Sequence, residues 1–194
     1  ALCLLAAISI TVWQWDSSIF PVRLAVRADG VLAPREASVV SSGQCTAPLF
    51  TNAGFELGTP ENWLIRGDAF TLERIGSLPG FQGQGFGEWF LSSATPDSFD
   101  AARRAAVGGV TSTAFTISEP NISFRFAGHG VGLVGKVGLY VDGHAYRVVE
   151  VGGQHAPETI TWDVSQMVGN VARLVVADLS PDGTISVDRF CYSE

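Results

Sequence analysis

Between Asn52 and Phe70 the chain reads N-A-G-F-E-L-G-T-P-E-N-W-L-I-R-G-D-A-F, and this stretch divides two kinds of sequence. The residues before it are apolar or tether-like, and those after it form a succession of short apolar runs. Phe55 and Leu57 flank Glu56, Gly58-Thr59-Pro60 breaks the run, and Trp63, Ile65 and Phe70 resume it. That order predicts strand, turn, strand in a half-buried sheet.

The runs continue to Tyr192 at fairly regular spacing. Strands are expected at 87–91, 109–117, 122–127, 137–141, 145–151, 158–163, 172–178 and 184–190, with hairpin turns at Asp142-Gly143 and Asp182-Gly183. Val164 to Val168 offers a single helical turn. With 22 glycines, 9 prolines and 46% hydrophobic residues, the composition suits an ordered, turn-rich domain and excludes intrinsic disorder. The expected fold is all-β, a two-sheet antiparallel β-sandwich of the jelly-roll type over residues 50–194.

Residues 1–13, A-L-C-L-L-A-A-I-S-I-T-V-W, carry no charge and lead into Trp13-Gln14-Trp15. Indole rings favour the membrane interface, so residues 1–18 read as the end of a membrane-anchor helix whose earlier part is outside the sequence. Residues 19–49 read as a juxtamembrane tether. Within it A-D-G-V-L-A-P-R-E-A-S-V-V-S-S-G resembles the segment after the anchor of bacterial membrane-fusion proteins of secretion systems, without their lipoyl-like repeat.

Cys45 precedes the opening stretch and Cys191 lies in the last apolar run. If the first and last strands are neighbours, the two thiols meet as a disulfide, and an oxidising compartment is implied; the alternative is two unrelated buried thiols. The expected location is the bacterial cytoplasmic membrane, with the domain on the periplasmic or extracellular side. A net charge of −7 without a basic stripe argues against nucleic acid as a partner.

Taken in order, N-x-G-F-E-x-G, G-D-A-F, G-E-W-F-L-S-S, G-V-T-S-T-A-F-T-I, I-S-F-R-F-A-G, V-G-L-Y-V-D-G, T-W-D-V-S and I-S-V-D-R-F resemble the galactose-binding-like jelly rolls appended to bacterial glycoside hydrolases and surface proteins. The resemblance runs from Asn52 to Tyr192 and implies a domain that binds carbohydrate or protein without catalysis. It also implies a structural calcium ion where the first and last strands meet, held by Asn52, Glu56 and Asp188; no other cofactor is expected. Trp63 and Trp162 fall at scaffold positions of the resemblance.

Other motifs carry less. G-V-G-L-V-G-K at Gly130–Lys136 opens like a phosphate-binding loop, but Val137 stands where a hydroxyl must meet magnesium. The sequence from Asp178 imitates a calcium loop whose twelfth position is Arg189 instead of Glu. His129, His144 and His155 sit in turn-like settings without a hydrolase motif, and the Asp97 and Asp100 couple lacks any sign of a raised pKa. Enzymatic activity is not expected.

Candidate binding residues are then those the scaffold does not require: Phe81, Phe86, Trp89, Asp97, Asp100, Arg103 and Arg104. With few unassigned aromatics and a membrane anchor, the first expectation is a tethered accessory or scaffold subunit that docks on a membrane protein complex. The alternative is a carbohydrate-binding module that recognises cell-surface or extracellular glycans.

Overall fold

The computed structural model describes residues 44–74, 85–94, 107–152 and 155–194. They form two antiparallel sheets. The first holds β1 (Cys45–Pro48), β3 (Thr71–Arg74), β4 (Trp89–Ser92), β7 (Asn121–His129), β10 (His155–Asp163) and β12 (Thr184–Ser193), in the order β10-β7-β12-β4-β3 with β1 also on β12. The second holds β2 (Trp63–Gly67), β5 (Gly108–Ser112), β6 (Phe115–Thr116), β8 (Leu133–Val141), β9 (His144–Gly152) and β11 (Val171–Asp178), in the order β2-β5-β11-β8-β9 with β6 also on β11. We call them the β12 sheet and the β11 sheet after their central strands. The expected β-sandwich is the fold observed.

Alternation explains which side chains meet between the sheets. On β7, Ile122, Phe124 and Phe126 enter the core while Ser123, Arg125 and Ala127 take the outer face. Phe124 lies edge-on to Trp162 at 4.8 Å and stacks on Phe190 at 5.0 Å; Phe190 in turn meets Trp63 at 5.6 Å. Trp63 and Trp162 are both buried, as scaffold residues should be. Tyr192 locks the sheets together, because its hydroxyl donates to Thr116 O at 2.9 Å and accepts from Ser118 N.

The opening stretch differs from expectation. Phe55 lies in no strand: 52–58 is a string of turns, with positive φ at Asn52 (64°), Phe55 (59°) and Gly58 (63°). The wholly buried Phe55 ring, stacked on Trp63 at 4.9 Å, compensates the backbone strain. Asp142-Gly143 is the expected hairpin turn, with φ of 50° and 78°. Asp182-Gly183 is not a hairpin turn, because it carries the chain from β11 in one sheet to β12 in the other. A Cβ on Gly183 would stand 2.3 Å from Val134 Cγ1, so its glycine permits a close crossing between the sheets.

Cys45–Pro48, placed in the tether by its sequence, is the first strand of the sandwich and pairs with the last. That pairing brings Cys45 and Cys191 into a disulfide, with Cα atoms 5.6 Å apart. Among the described residues no helix is long and apolar enough to cross a membrane, and the expected anchor with Trp13 and Trp15 lies outside them.

Candidate functional site

The central strand β12 changes partner halfway along one edge. Ser186 and Val187 pair with β4, whereas Cys191, Tyr192 and Ser193 pair with β1. Asp188, Arg189 and Phe190 sit in the gap, the ladder to β7 is irregular there, and Arg189 adopts φ 55°. Backbone amides in such a gap need acceptors.

Asp188 supplies them. Its Oδ2 accepts from Gly87 N and its Oδ1 from Arg189 N, both at 2.6 Å, while Glu56 Oε2 accepts from the next amide, Glu88 N, at 3.1 Å. A Cβ on Gly87 would fall 1.4 Å from Glu56 Oε1, so only glycine lets that carboxylate in. Burial pushes the Asp188 carboxyl up to about 8; the Glu56 charge adds to the rise, and the two amides and Arg189 oppose it. Two carboxylates on adjacent amides, one of them wholly buried, form a donor set for a proton or a hard cation.

The third expected calcium ligand does not fit. Asn52 Nδ2 donates to Thr59 O and Glu61 O, its Oδ1 accepts from Leu57 N, and its carbonyl accepts from Phe55 N and Trp63 Nε1. Asn52 therefore pins the turn, and a cation at Glu56 and Asp188 would have to complete its shell elsewhere. Among the described residues no group of three or more His, Cys, Asp or Glu side chains is placed to hold a metal ion.

Clefts open on both sides of this gap. One of about 570 Å³ is lined by the disulfide, Thr51, Asn52, Glu56 and Leu57. The other, of about 400 Å³, lies over the outer face of the β12 sheet beside Arg125, Thr159 and Arg189.

Of the residues the sequence nominated for binding, only Phe86 and Trp89 lie within the described part; Phe81, Asp97, Asp100, Arg103 and Arg104 lie outside it. Phe86 offers no open ring, since it is buried edge-on against Phe90 at 5.1 Å with the Arg125 guanidinium 5.9 Å from its centroid. Trp89 is half-buried between Gly58, whose Cβ would stand 2.9 Å from the indole, and Arg74, 5.3 Å over the ring.

The sequence reading missed Tyr140. On β8, Val137, Leu139 and Val141 point into the core, which leaves Lys136, Gly138 and Tyr140 on the outer face of the β11 sheet. The Tyr140 ring lies over Gly138, where an added Cβ would meet it at 2.8 Å, and its cross-strand neighbours are Arg173 and Ala145. Lys136 pairs with Glu150 farther along the same strand pair. The signal was the G-x-Y spacing: a bare residue two positions before an aromatic, on the same face of one strand.

Of the histidines, His129 ends β7, His144 opens β9 and His155 opens β10.

No family model and no curated protein matches the chain. Solved structures do. TmCBM61 in complex with β-1,4-galactotriose is 17% identical with a TM-score of 0.49 over 76% of this chain and 99% of its own. A family 16 carbohydrate-binding module is 9% identical with a TM-score of 0.45, covering 75% and 99%. The enzymatically active domain of a bacteriophage CBA120 tailspike protein is 12% identical with a TM-score of 0.49, covering 76% of this chain and 21% of that one. What this chain is similar to thus includes several carbohydrate-binding modules, and at these identities and TM-scores the likeness assigns no function to it.

Proposed function

We propose that the chain is a non-catalytic binding module that recognises a glycan on the outer face of the β11 sheet. The observation that carries this reading is Tyr140, a part-buried aromatic laid over Gly138 and bordered by Arg173, with the Lys136 and Glu150 register partners four positions along the strand. An aromatic plane with a guanidinium beside it suits a sugar, whose faces are apolar and whose rim is hydroxylic. A hydrolase would need an acid that substrate can reach. The two raised carboxyls here, Asp188 and Asp178, are both buried, and Asp188 spends both oxygens on backbone amides.

From the sequence the scaffold reading came first because unassigned aromatics were scarce; Tyr140 supplies one, and the order reverses. Docking on a membrane protein complex rests on residues 1–18 and stands second. The disulfide supports an oxidising location, periplasmic or extracellular. Titration of the full chain against a neutral glycan array tests the main reading: saturable binding that Tyr140→Ala abolishes without lowering the melting temperature is expected. Absence of glycan binding, with stoichiometric recovery in a membrane complex after gentle detergent extraction, would establish the second reading instead.

Calcium remains a proposal of the same kind. Glu56 and Asp188 supply hard oxygen ligands, and a cation there would relieve their mutual repulsion. Calcium added to chelated protein should raise the melting temperature, and Glu56→Gln should remove the response; no response in the wild type would rule the ion out.

A further inference from the structure

The second cleft carries an inference separate from the Tyr140 face, because it lies on the opposite sheet and is lined by two cations. Arg125 comes from β7 and Arg189 from the irregular turn of β12, and Gly85 lies between them. Arg189 Nη1 donates to Gly85 O at 3.0 Å, while a Cβ on Gly85 would lie 3.3 Å from Arg125 Nε. A larger residue there would crowd the guanidinium.

Arg125 is held in place before any ligand arrives. Its Nη1 donates to Thr159 Oγ1 at 2.9 Å, its Nη2 donates to Pro157 O at 3.1 Å, and the Phe86 ring lies to one side. Ordering an arginine is the usual entropic cost of using one, and the fold has already met it. Arg189 stands exposed at the rim. The two charges repel each other, and Glu158 and Asp188 face Arg125 from the neighbouring strands as a partial balance. Asp188 directs one oxygen at the Gly87 amide and the other at the backbone amide of Arg189 itself.

We propose that this cleft binds the carboxylate of a uronic-acid residue in an acidic polysaccharide. A volume of about 400 Å³ suits a single sugar ring, and the planar guanidinium fork matches a carboxylate. Thr159 Oγ1 accepts from Arg125 and keeps its own proton to donate to a ring hydroxyl, with the exposed Gln44 at the edge. The chain's net charge of −7 disfavours long polyanions, so the acidic polysaccharide is engaged through a single ring whose carboxylate meets the local arginine pair. The carboxylate requirement comes from the arginines, while the sugar identity rests on the glycan reading above.

The test is calorimetric titration of the full chain with trigalacturonic acid and with its methyl ester, which keeps the rings and removes the charge. The acid should bind at least about tenfold more tightly, and Arg189→Gln should erase that preference while leaving any neutral-glycan binding at Tyr140 intact. Arg125→Gln should do the same, but it also removes two inter-strand hydrogen bonds, so the exposed Arg189 is the deciding variant. Equal affinity for acid and ester, or a preference that survives Arg189→Gln, overturns the proposal and leaves the Tyr140 reading untouched. Polyglutamate binding as tightly as the acid would overturn the sugar assignment, and loss of neutral-glycan binding alone would count against the Tyr140 reading only.

Discussion

Both central strands meet the same problem and solve it with different chemistry. In the β11 sheet, Val171 and Ala172 pair with β6 and Val175 to Asp178 pair with β5, which leaves Arg173 and Leu174 without a strand on that side. Ser112 closes the gap: its Oγ accepts from Leu174 N at 2.9 Å and donates to Thr113 O, and its carbonyl accepts from Arg173 Nη1. In the β12 sheet the corresponding gap is closed by the carboxylate of Asp188. A neutral hydroxyl satisfies its amide and leaves nothing over. A buried carboxylate satisfies two amides and leaves a charge that draws in protons, cations and arginines; the two clefts open beside that charged gap, whereas the neutral gap borders the Tyr140 face through Arg173.

Four outcomes would break or sharpen that contrast. The largest concerns the cross-link that fastens β1 beside the charged gap. Reducing Cys45–Cys191, which spans 146 residues of sequence, should lower stability by about 4–5 kcal/mol and shift the urea midpoint accordingly. Persistence of the wild-type midpoint would mean that β1 holds the gap without the bridge.

Next is Asp188→Ala, which strands two part-buried amides and should cost about 3 kcal/mol. Equal stability of the variant and the wild type in denaturant melts would show that water or a neighbouring group closes the gap as well.

The third outcome concerns the buried acid of the other sheet. Burial raises Asp178 from 3.8 to about 6, against hydrogen bonds from Ser93 and Ser180. Its protonated form is therefore favoured in the native state. The associated stability is fully present below pH 3.8 and is lost as pH rises through about 6, by up to roughly 3 kcal/mol. Asp178→Asn should remove that pH dependence, and a difference between wild type and variant that stays constant from pH 4 to 7 would refute it. The smallest effect belongs to the neutral gap: Ser112→Ala strands one amide and should cost about 1–2 kcal/mol. A loss as large as that of Asp188→Ala would erase the contrast.

Strands such as Asn121–His129 were legible in the sequence because Ile122, Phe124 and Phe126 alternate with Ser123 and Arg125, and alternation is a local property that the chain carries wherever it folds. The candidate sites were legible only in part. Asp188 and Asn52 were both marked by the family resemblance, and nothing local says that the Asn52 amide also binds Thr59, Leu57 and Glu61 within its turn. Phe86 read as a spare aromatic until packing on Phe90 buried it. Arg125 and Arg189 were not nominated for binding, since 63 intervening residues separate two cations that one sheet brings to the same glycine.

The sequence by itself thus determined the all-β class, most strand positions, the Asp142-Gly143 hairpin and the chance that Cys45 and Cys191 meet, because all of these arise from periodicity, turn chemistry and chain ends. Tertiary structure alone decided that Asp182-Gly183 crosses between sheets, that β12 changes partner at Asp188, and that Tyr140 faces outward over Gly138. Those facts depend on which strands lie side by side. Strand order is set by the total burial of the two sheets against each other, a sum over distant residues that no single stretch of the chain encodes.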